Sequence, residues 1–392
     1  MTAEDAELVP IEDYDDDISP EWIKKTMRTL EKATWRSDCS LEELYPTKVF
    51  CKLLKDCQRL FHKEPTVVDV EVPRDACINV VGDTHGQYHD VMTLFAEAGL
   101  PSETNLFVFN GDFVDRGAWG VEVLSTFLSW KLCYPGSVFL TRGNHESTSC
   151  TQAYGFYKEL SMKYPDSNWE RMYQLCKGVF AALPLCAIIE DRVYVAHGGL
   201  FRSTQHKQHK KKHKKRKHSK KDLTIGNLDQ LRAASKGGHD PDNTIASQII
   251  STDVLWSDPQ SSNGLAPNEN RGIGLLFGPD MTEQFLRENK LKLIIRSHEG
   301  PDARLYREGM KSLLQGYAVD YDGDSGKLVT VFSAPDYPMN ADPEERTFNT
   351  AAYVILKHPN IGDDPEFKVF SAKPRPQFDA VFFEDEYDDE EY

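Results

Sequence analysis

Aspartate, asparagine and histidine recur in short motifs in which glycine lies beside them. The five motifs are GDTHG at 82–86, GDFVDRG at 111–117, GNHE at 143–146, HGG at 197–199 and RSHE at 296–299. One such Asp or His is by itself more often a helix cap or a hydrogen-bonded core residue than a ligand. Capping alone does not explain five of them, so we expect the motifs to form one site.

The donor atoms of these motifs favour metal binding. They supply two carboxylates, one amide oxygen and three imidazoles, from Asp83, His85, Asp112, Asn144, His197 and His298. Mixed nitrogen and oxygen ligation without thiolate suits Mn, Fe, Zn or Ni rather than Ca or a structural Zn–Cys site. Six ligands suit two ions bridged by one carboxylate, and two such ions can hold a water or hydroxide and clamp a phosphoryl group.

A phosphoester site also needs cations for the phosphate oxygens and an acid for the leaving group. Arg116 directly follows Asp115, and Arg271 lies in an RGIG turn; the arginine fork matches phosphate geometry. His145 directly follows Asn144 and is the best candidate acid, which Asp115 could hold protonated and oriented. The alternatives are a surface salt bridge for Arg271 and a packing role for His145.

Each motif follows a short apolar run that we predict to be a buried β-strand. The runs cover residues 78–81, 106–109, 138–140, 193–196 and 293–295. Helical patterns at 90–98 and 120–132 separate the first three runs, which is the organisation of βαβ units. Ligands of open α/β sheets bind at the carboxyl ends of the strands, where these motifs lie.

Further elements are predicted before and after this region. Helical patterns cover residues 20–35 and 41–61, and Pro46 lies in the first turn of the second helix or marks a break. Strands are predicted at 327–333 and 351–356. The chain is therefore expected to form one α/β domain that finishes in antiparallel strands.

The motifs closely resemble those of the metal-dependent phosphoprotein phosphatases, a family of serine/threonine phosphatases. The resemblance covers most of residues 65–345 and includes LWSDP at 255–259, FGPD at 277–280 and SAPDY at 333–337. It implies an α/β fold with a calcineurin-like metallophosphoesterase β-sandwich flanked by helices. It also implies a two-metal site at the carboxyl ends of the strands, with Mn in vitro and Fe or Zn as further candidates.

The resemblance also implies a role for each candidate residue. The residues that match the family's first metal site are Asp83, His85 and Asp112. Those that match its second site are Asp112, Asn144, His197 and His298, which makes Asp112 the bridging ligand. The proton donor and its partner match His145 and Asp115. The phosphate-contacting positions match Arg116, Arg271 and Tyr337.

Two departures from the family pattern stand out. The usual SAPNYC reads SAPDYP here, so Pro338 replaces the Cys that some cyclic-peptide toxins attack, and we expect covalent capture to fail. A basic run is inserted soon after HGGLF, where many relatives have a short loop. Together with RSHEGPDAR, these features most resemble the plant type-7 subgroup, which implies nuclear localisation and interaction with calmodulin.

Charge is strongly separated along the chain, whose formal net charge is −16. Residues 1–21 carry nine acids and residues 379–392 carry eight, without Lys or Arg, whereas residues 206–221 contain nine Lys and one Arg. The predicted organisation is an acidic disordered tail at 1–21, a helical segment at 22–64, a catalytic domain at 65–375 with a basic disordered insertion at 206–221, and an acidic disordered tail at 376–392.

The basic insertion has several interpretations. It could be a solvated loop, a nuclear-import signal, or a patch that attracts nucleic acid or anionic membrane without specific readout, since it contains no aromatic residue. It could bind calmodulin or another acidic partner, with apolar anchors up to residue 231. It could also pair with the acidic tails. Calmodulin and nuclear-import receptors are thus the candidate partners of residues 206–231.

Composition limits the class of protein. Hydrophobic residues at 40% and charged residues at 28% are typical of soluble globular proteins and exclude a wholly disordered or membrane-embedded chain. We expect no membrane span and no secretory signal, so the protein should not be secreted. The basic run and the resemblance imply a nuclear location, with the cytoplasm as the alternative. The eight cysteines have no CxxC pairing and are expected to be reduced thiols.

The leading hypothesis is a serine/threonine protein phosphatase that cleaves phosphoserine and phosphothreonine monoesters by direct attack of a metal-bridged hydroxide. One alternative is a metallophosphoesterase that acts on small molecules or nucleotides. The other is a catalytically silent adaptor that acts through the basic segment, although every candidate ligand and His145 are present.

Overall fold

Two β-sheets pack face to face at the centre of the computed structural model, which describes residues 8–14, 17–36, 39–204, 223–338 and 346–376. Its strands are β1 Val67–Val70, β2 Cys77–Val81, β3 Asn105–Asn110, β4 Val138–Thr141, β5 Cys186–Ile189, β6 Val193–Ala196, β7 Asp258–Pro259, β8 Leu265–Pro267, β9 Leu275–Phe277, β10 Leu293–Arg296, β11 Tyr317–Asp322, β12 Lys327–Val331, β13 Ala351–Lys357 and β14 Glu366–Phe370. One sheet has the order β1-β5-β6-β10-β12-β11, the other has the order β14-β13-β2-β3-β4, and β7-β9-β8 form a small third sheet.

Helices cover the outer faces of the two sheets. They are α1 Pro20–Thr34, α2 Leu41–Leu44, α3 Thr47–Phe61, α4 Tyr88–Ala98, α5 Gly120–Cys133, α6 Thr148–Ala153, α7 Phe156–Lys163, α8 Trp169–Ala182, α9 Leu228–Arg232, α10 Ile249–Trp256, α11 Pro279–Glu288 and α12 Pro301–Leu305, with a 3₁₀ turn at Ala246–Gln248. The apolar core between the sheets is built from alternate strand residues such as Ile78, Val80, Ile295 and Val331. The expected α/β fold with a helix-flanked sandwich is confirmed.

The five strands that precede the motifs are present, with ends within one residue of prediction. They do not share one sheet: β2, β3 and β4 are parallel neighbours in one sheet, whereas β6 and β10 are parallel neighbours in the other. The helices α4 and α5 provide the crossover connections that parallel pairing needs between β2 and β3 and between β3 and β4. The motifs therefore meet where the ends of two sheets come together.

The remaining predicted elements are also found, with small differences. The strand expected at 327–333 ends at Val331, and the helical segment at 41–61 divides into α2 and α3 because Pro46 caps the second helix. Strand β13 pairs antiparallel with both β2 and β14, so the antiparallel finish is confirmed. All eight cysteines are free. Within the described ranges, no helix is long and apolar enough to cross a membrane.

The acidic N-terminal segment differs from the prediction of disorder over residues 1–21. Ile11, Tyr14 and Ile18 are buried in the core formed by α1, α3 and α5, and the Tyr14 hydroxyl donates to Asp56 Oδ2 at 2.9 Å. Apolar residues spaced among the acids supply enough buried surface to order this segment, which charge counting overlooks. The predicted basic insertion at 206–221 and the C-terminal tail from 377 lie outside the described residues, and the domain boundaries stay predictions.

Candidate active site

Loops from both sheets meet at one edge of the sandwich and carry the candidate ligands. Asp83 and His85 follow β2, Asp112 follows β3 and Asn144 follows β4, whereas His197 follows β6 and His298 follows β10. All six side chains are buried. Asn110 joins the two sheets at this edge, because its Nδ2 donates to Ala196 O at 3.2 Å and to Ser297 Oγ at 2.9 Å.

Three of the candidate ligands form a first group. His85 Nε2 lies 3.9 Å from Asp83 Oδ2 and 3.7 Å from Asp112 Oδ2. Two ligands about 2.1 Å from the same ion lie at most about 4.2 Å apart, so these atoms are spaced as ligands of one ion. His145 also lies within 4.8 Å of this group. Asp115, however, holds one of its nitrogens.

The second group surrounds the other oxygen of Asp112. His197 Nε2 lies 3.3 Å from Asp112 Oδ1 and 2.8 Å from Asn144 Oδ1, and His298 Nδ1 also lies 2.8 Å from Asn144 Oδ1. His197 Nδ1 faces Asn110 O at 2.8 Å. This contact makes Nδ1 an N–H donor and leaves Nε2, which faces the two oxygens, as the candidate metal-ligating atom. Asp112 contributes to both groups, as expected of a bridging ligand.

The buried donor atoms fit a pair of metal ions. Among the described residues, Asp83 Oδ2 and His298 Nε2 are buried without a hydrogen-bond partner. A buried carboxylate oxygen without a partner is costly unless a cation is bound nearby. The donor set also contains only imidazole, carboxylate and amide groups, which suits Mn, Fe or Zn. The chain therefore provides a candidate two-metal site.

The proton affinities of these groups are strongly perturbed by burial and by one another. Burial and the charge of Asp112 raise the pKa of Asp83 to about 7 despite the opposing effect of His197. Burial would raise the pKa of Asp112 as well, but His197 and His145 lower it well below its usual range. Burial favours neutral His197, yet Asp112 and Asp83 raise its pKa to about 9. Such a cluster of acidic and basic groups is typical of a functional site.

The turn that follows β3 and carries the bridging ligand Asp112 is packed closely against the turn that follows β4. A Cβ on Gly111, whose φ is +82°, would lie 2.4 Å from the backbone of Gly143. Only glycine permits both this approach and this φ. The bridging ligand Asp112 itself has a φ of 51°, an uncommon value for a residue with a side chain.

Glu146 holds these turns, a role that the sequence analysis missed. Its carboxylate accepts hydrogen bonds from Asp112 N at 2.8 Å, Phe113 N at 2.9 Å and Gly143 N at 2.9 Å. Buried N–H groups in turns need acceptors, and one carboxylate here satisfies three of them. Glu146 is the last residue of the GNHE motif, but residue type alone does not distinguish an acceptor of backbone hydrogen bonds from a metal ligand.

His145 and Asp115 form a buried pair beside the candidate ligands. His145 Nδ1 lies 2.7 Å from Asp115 Oδ2, and Asp115 Oδ1 accepts from Phe156 N at 2.9 Å. Burial lowers the pKa of His145 to about 4 and raises the pKa of Asp115 well above its usual range. The titrations of two ionisable groups this close are coupled, and the carboxylate fixes the orientation of the imidazole. The predicted pairing of these two residues is present.

We next locate the residues that are predicted to contact phosphate. Tyr337 is buried with its ring centroid 5.4 Å from that of His85, and the Arg116 guanidinium lies 4.1 Å from the Tyr154 ring. Asp258, the salt-bridge partner of Arg271, has its Oδ1 4.0 Å from His298 Nε2, so Arg271 is linked to a candidate ligand through one residue. The six candidate ligands, His145 and Asp115 therefore lie together, and Tyr337 stacks beside His85. Arg116 follows Asp115 in the chain and Arg271 is linked to this group through Asp258, and the assigned roles stay predictions.

A buried network of charges orients Arg271. Its Nε donates to Asp258 Oδ2 at 2.6 Å, and Asp258 Oδ1 accepts from Arg296 Nη2 at 2.9 Å. Arg296 Nη1 continues the network to Glu299 Oε2 at 2.6 Å. The salt bridge considered as an alternative for Arg271 therefore exists, but its partner Asp258 is buried rather than at the surface. Asp258 belongs to the LWSDP motif and was not assigned a function from the sequence.

Comparisons with known proteins agree with this geometry. The sequence profile of the calcineurin-like phosphoesterase family matches residues 78–302. Serine/threonine-protein phosphatase 7 of Arabidopsis thaliana is 46% identical over 92% of this chain and 89% of its own length. The chain also matches a long form homolog from the same plant at 39% identity, of which it spans 28%. Human serine/threonine-protein phosphatase 5 is 38% identical over 83% of this chain and 54% of its own length.

A solved structure supports the same conclusion. A protein serine/threonine phosphatase from Saccharomyces cerevisiae, described as similar to human PP5, superposes with a TM-score of 0.70 at 31% identity. The match covers 91% of this chain and 98% of that one. The chain therefore belongs to the calcineurin-like phosphoesterase family and, within it, to the metal-dependent phosphoprotein phosphatases.

Proposed function

We propose that the chain hydrolyses phosphoserine and phosphothreonine monoesters in proteins. The observation that carries this proposal is the position of Asp112 between the two groups of candidate ligands, with the His145–Asp115 pair beside it. The names of its serine/threonine phosphatase relatives support the substrate class. Mn, Fe or Zn ions would be held by Asp83, His85, Asp112, Asn144, His197 and His298, and they would supply Lewis-acid charge and an activated water.

The roles of the side chains follow from their positions. Arg116 and Arg271 would bind the phosphate oxygens, and the buried setting strengthens these charge-assisted contacts. Tyr337, stacked beside His85, would contact the same phosphate. Asp258 holds Arg271 in place, so less side-chain freedom is lost when phosphate binds.

His145 would act as the general acid. Water attacks phosphorus in line as the bond between phosphorus and the seryl or threonyl oxygen breaks. That oxygen takes a proton from His145, whose orientation Asp115 fixes through Nδ1. Free phosphate and the alcohol leave, the attacking water releases a proton that replaces the one lost by His145, and no side chain is phosphorylated. Trapping a phosphoenzyme would contradict this mechanism.

The test compares the turnover of phosphopeptides with that of nucleotides, together with metal content. We expect purified chain loaded with Mn²⁺ to cleave phosphoserine peptides with a higher kcat/KM than nucleoside monophosphates. Asp112→Asn should lose both bound metal and activity, because the bridge carries one charge fewer. Asp69→Asn, at an exposed carboxylate on β1, is the matched control and should keep both. A preference for nucleotides would favour a small-molecule phosphoesterase.

We also propose nuclear localisation and calmodulin binding through residues 206–231. The support is the run of nine Lys and one Arg together with the apolar residues after it, Leu223, Ile225, Leu228 and Leu231. In the described part, Leu231 and Ile225 are buried in the core, so they would have to leave it to serve as anchors. A calmodulin pull-down of the full chain, with and without Ca²⁺, tests the proposal.

A further inference from the structure

The outer face of α1 carries a row of exposed basic side chains. Lys24, Arg28 and Lys32 follow one another at every fourth position, so they lie on one face of the helix, opposite the buried Ile23 and Leu30. Among the described residues, no carboxylate forms an ion pair with any of these three cations. We call Lys24, Arg28 and Lys32 the basic row.

An apolar groove opens where α1 ends. It has a volume of about 360 Å³, and the residues that line it include Thr34, Leu41, Trp119 and Met162. Met162 is 46% exposed, and Trp35, which directly follows Thr34, is 52% exposed. Single exposed apolar side chains are ordinary, but several of them around one groove are typical of a surface for interaction. We call this feature the α1 groove.

The last described residues of the chain are fastened to α4. Arg375 Nη2 donates to Asp336 Oδ2 at 2.7 Å, and its Nη1 donates to Asp90 Oδ2 at 3.3 Å. Lys373 N also donates to Asp90 Oδ1 at 3.4 Å. The segment that follows, residues 377–392, therefore leaves the described fold beside Asp90, at the start of α4.

His89 connects this exit point to the α1 groove. It directly precedes Asp90 in α4, and its ring centroid lies 4.4 Å from that of Trp119 and 5.5 Å from that of Trp35. Its Nε2 lies 2.8 Å from Thr34 Oγ1. Residues 377–392 thus begin next to the side chains that line the α1 groove.

The order of residues in segment 377–392 matches the order of the two surfaces. Phe378, Phe382 and Phe383 come first, and residues 384–392 follow with seven acids. From the exit point, the α1 groove comes first, and the basic row then runs back toward the start of α1. The row spans about 12 Å along the helix, whereas nine extended residues reach about 30 Å. The segment is therefore long enough to contact the whole surface.

We propose that residues 378–391 bind to this surface of their own chain, with the three phenylalanines in the α1 groove and the acids along the basic row. An exposed ion pair contributes little by itself. A tethered segment, however, has an effective concentration of about 1 mM, so that several weak contacts are sufficient. The inference concerns a surface outside the candidate active site and does not depend on the proposed function.

The basic segment at 206–221 is the other candidate to bind these acids. It carries ten positive charges but contains no aromatic or aliphatic residue. It can attract the acids, but it offers no apolar surface to Phe378, Phe382 and Phe383. The α1 surface offers both kinds of contact. Acids that are bound to α1 are not available to neutralise the basic segment.

The first test is carbodiimide cross-linking of the full chain, which joins a carboxylate to an amine that it contacts. We expect mass spectrometry to find cross-links from residues 384–391 to Lys24 and Lys32. The exposed Lys290 after α11 is the control and should form none, because α11 packs on the other sheet. A mixture of isotope-labelled and unlabelled chains distinguishes links within one molecule from links between two.

The second test measures how fast individual lysines of the full chain are acetylated. In the double variant Phe382→Ser, Phe383→Ser, Lys24 and Lys32 should react about three- to tenfold faster than in the wild type, the change expected when a site that is about 70–90% occupied is vacated. Ile245→Ser removes an apolar side chain of 46% exposure elsewhere and is the matched control, with wild-type rates. In about 1 M NaCl, which screens ion pairs, the wild-type protection should decrease.

Each result decides for or against the inference. Cross-links to Lys24 and Lys32 within one molecule, together with faster acetylation in the phenylalanine variant, support it. Equal acetylation rates in that variant and the wild type overturn it. Cross-links that reach only Lys207–Lys221 overturn it in favour of pairing with the basic segment. Cross-links that join only different molecules overturn it in favour of association between copies of the chain.

Discussion

At the scale of single residues, His145 connects the candidate ligands to the leaving group. Its backbone N donates to Asp112 Oδ1 at 3.0 Å, while its Nδ1 lies 2.7 Å from Asp115 Oδ2. The bridging ligand therefore holds the backbone of His145, and its acidic partner holds the ring. The acid is needed most when the departing oxygen is a poor leaving group.

We predict that His145→Gln lowers kcat for a phosphoserine peptide by about 10²- to 10⁴-fold, because an alkoxide must leave without a proton. The loss for p-nitrophenyl phosphate should be much smaller, because p-nitrophenolate is stable without protonation. Steady-state kinetics on both substrates measure the difference. Asp115→Asn should show the same pattern, whereas equal losses on both substrates would argue against an acid role.

At the scale of elements, a buried charge cluster joins α5 and α7 behind the site. Lys163 Nζ lies 2.6 Å from Glu122 Oε2 and 2.8 Å from Glu159 Oε1, and it donates to Ala118 O at 2.8 Å. Glu159 also accepts from Gly120 N and Val121 N at the start of α5. The charges of two buried carboxylates, Glu122 and Glu159, are thus compensated by the single ammonium group of Lys163.

Lys163→Met should destabilise the fold by about 3–5 kcal/mol, because Glu122 and Glu159 would remain buried without a cation. Urea unfolding followed by circular dichroism measures the change. Lys24→Met, at an exposed position of α1, is the control and should be nearly neutral. Adding Glu122→Gln to Lys163→Met should recover part of the stability; no recovery would mean that lost packing, not charge, explains the effect.

His89 links α4 to the N-terminal helix and should make stability depend on pH. Its Nε2 lies 2.8 Å from Thr34 Oγ1, and burial, followed by the charge of Arg375, lowers its pKa to about 4. The unfolded chain, with an ordinary pKa near about 6.5 for this group, therefore binds more protons between these values. Stability must rise with pH across that window and lose this contribution as the pH falls.

We expect the thermal midpoint of His89→Gln to fall less than that of the wild type between pH 6.5 and pH 4. Gln keeps a polar group opposite Thr34 but does not titrate. The exposed His62→Gln is the control and should follow the wild-type curve, since carboxylates titrate equally in both chains. If the thermal midpoints of His89→Gln and the wild type changed equally with pH, His89 would not be a source of the pH dependence.

At the scale of the whole molecule, the ten positive charges of residues 206–221 lie in a segment outside the described part of the phosphatase. The described residues on either side of the basic segment pair with each other: Arg202 and Ile225 form an isolated antiparallel β-bridge, and Ser203 N donates to Thr224 O at 2.8 Å. Its base is therefore closed by backbone pairing, and Arg202 is held by Asp253 at 2.7 Å. The fold does not require the segment to keep these ends together.

Replacing residues 206–221 with a short Gly-Ser loop should leave kcat/KM and the thermal midpoint unchanged, because the ends are already paired. The same variant should lose calmodulin retention and nuclear accumulation. Enzyme assays, calorimetry, calmodulin affinity and imaging of a tagged chain provide the four readouts. The control replaces the ten basic residues by Gln at constant length, and localisation that survives both changes would exclude the segment as the import signal.

Much of the fold could be predicted because its patterns are local. Strand β6 lies where its apolar run predicts, and α5 begins at the predicted Gly120. The ordering of Ile11 and Tyr14 was missed, because nearby acids dominate the composition while the stabilising contacts come from α3 and α5. Composition measures the average of a segment, whereas a few buried side chains decide whether it folds.

The sequence by itself determined the chemistry of the site: which donor atoms are available, that no thiolate is among them, and that each follows a strand. The tertiary structure alone decided which sheet holds each ligand. It also decided that Asp83 and His298, 215 residues apart, lie in contact, with His298 N donating to Asp83 Oδ1. Donor types and strand ends are visible in the local sequence. The pairing of strands in sheets depends on contacts between distant segments, and so do the hydrogen bonds of Asp258 with Arg271 and of Glu146 with its backbone donors. No local pattern encodes such contacts.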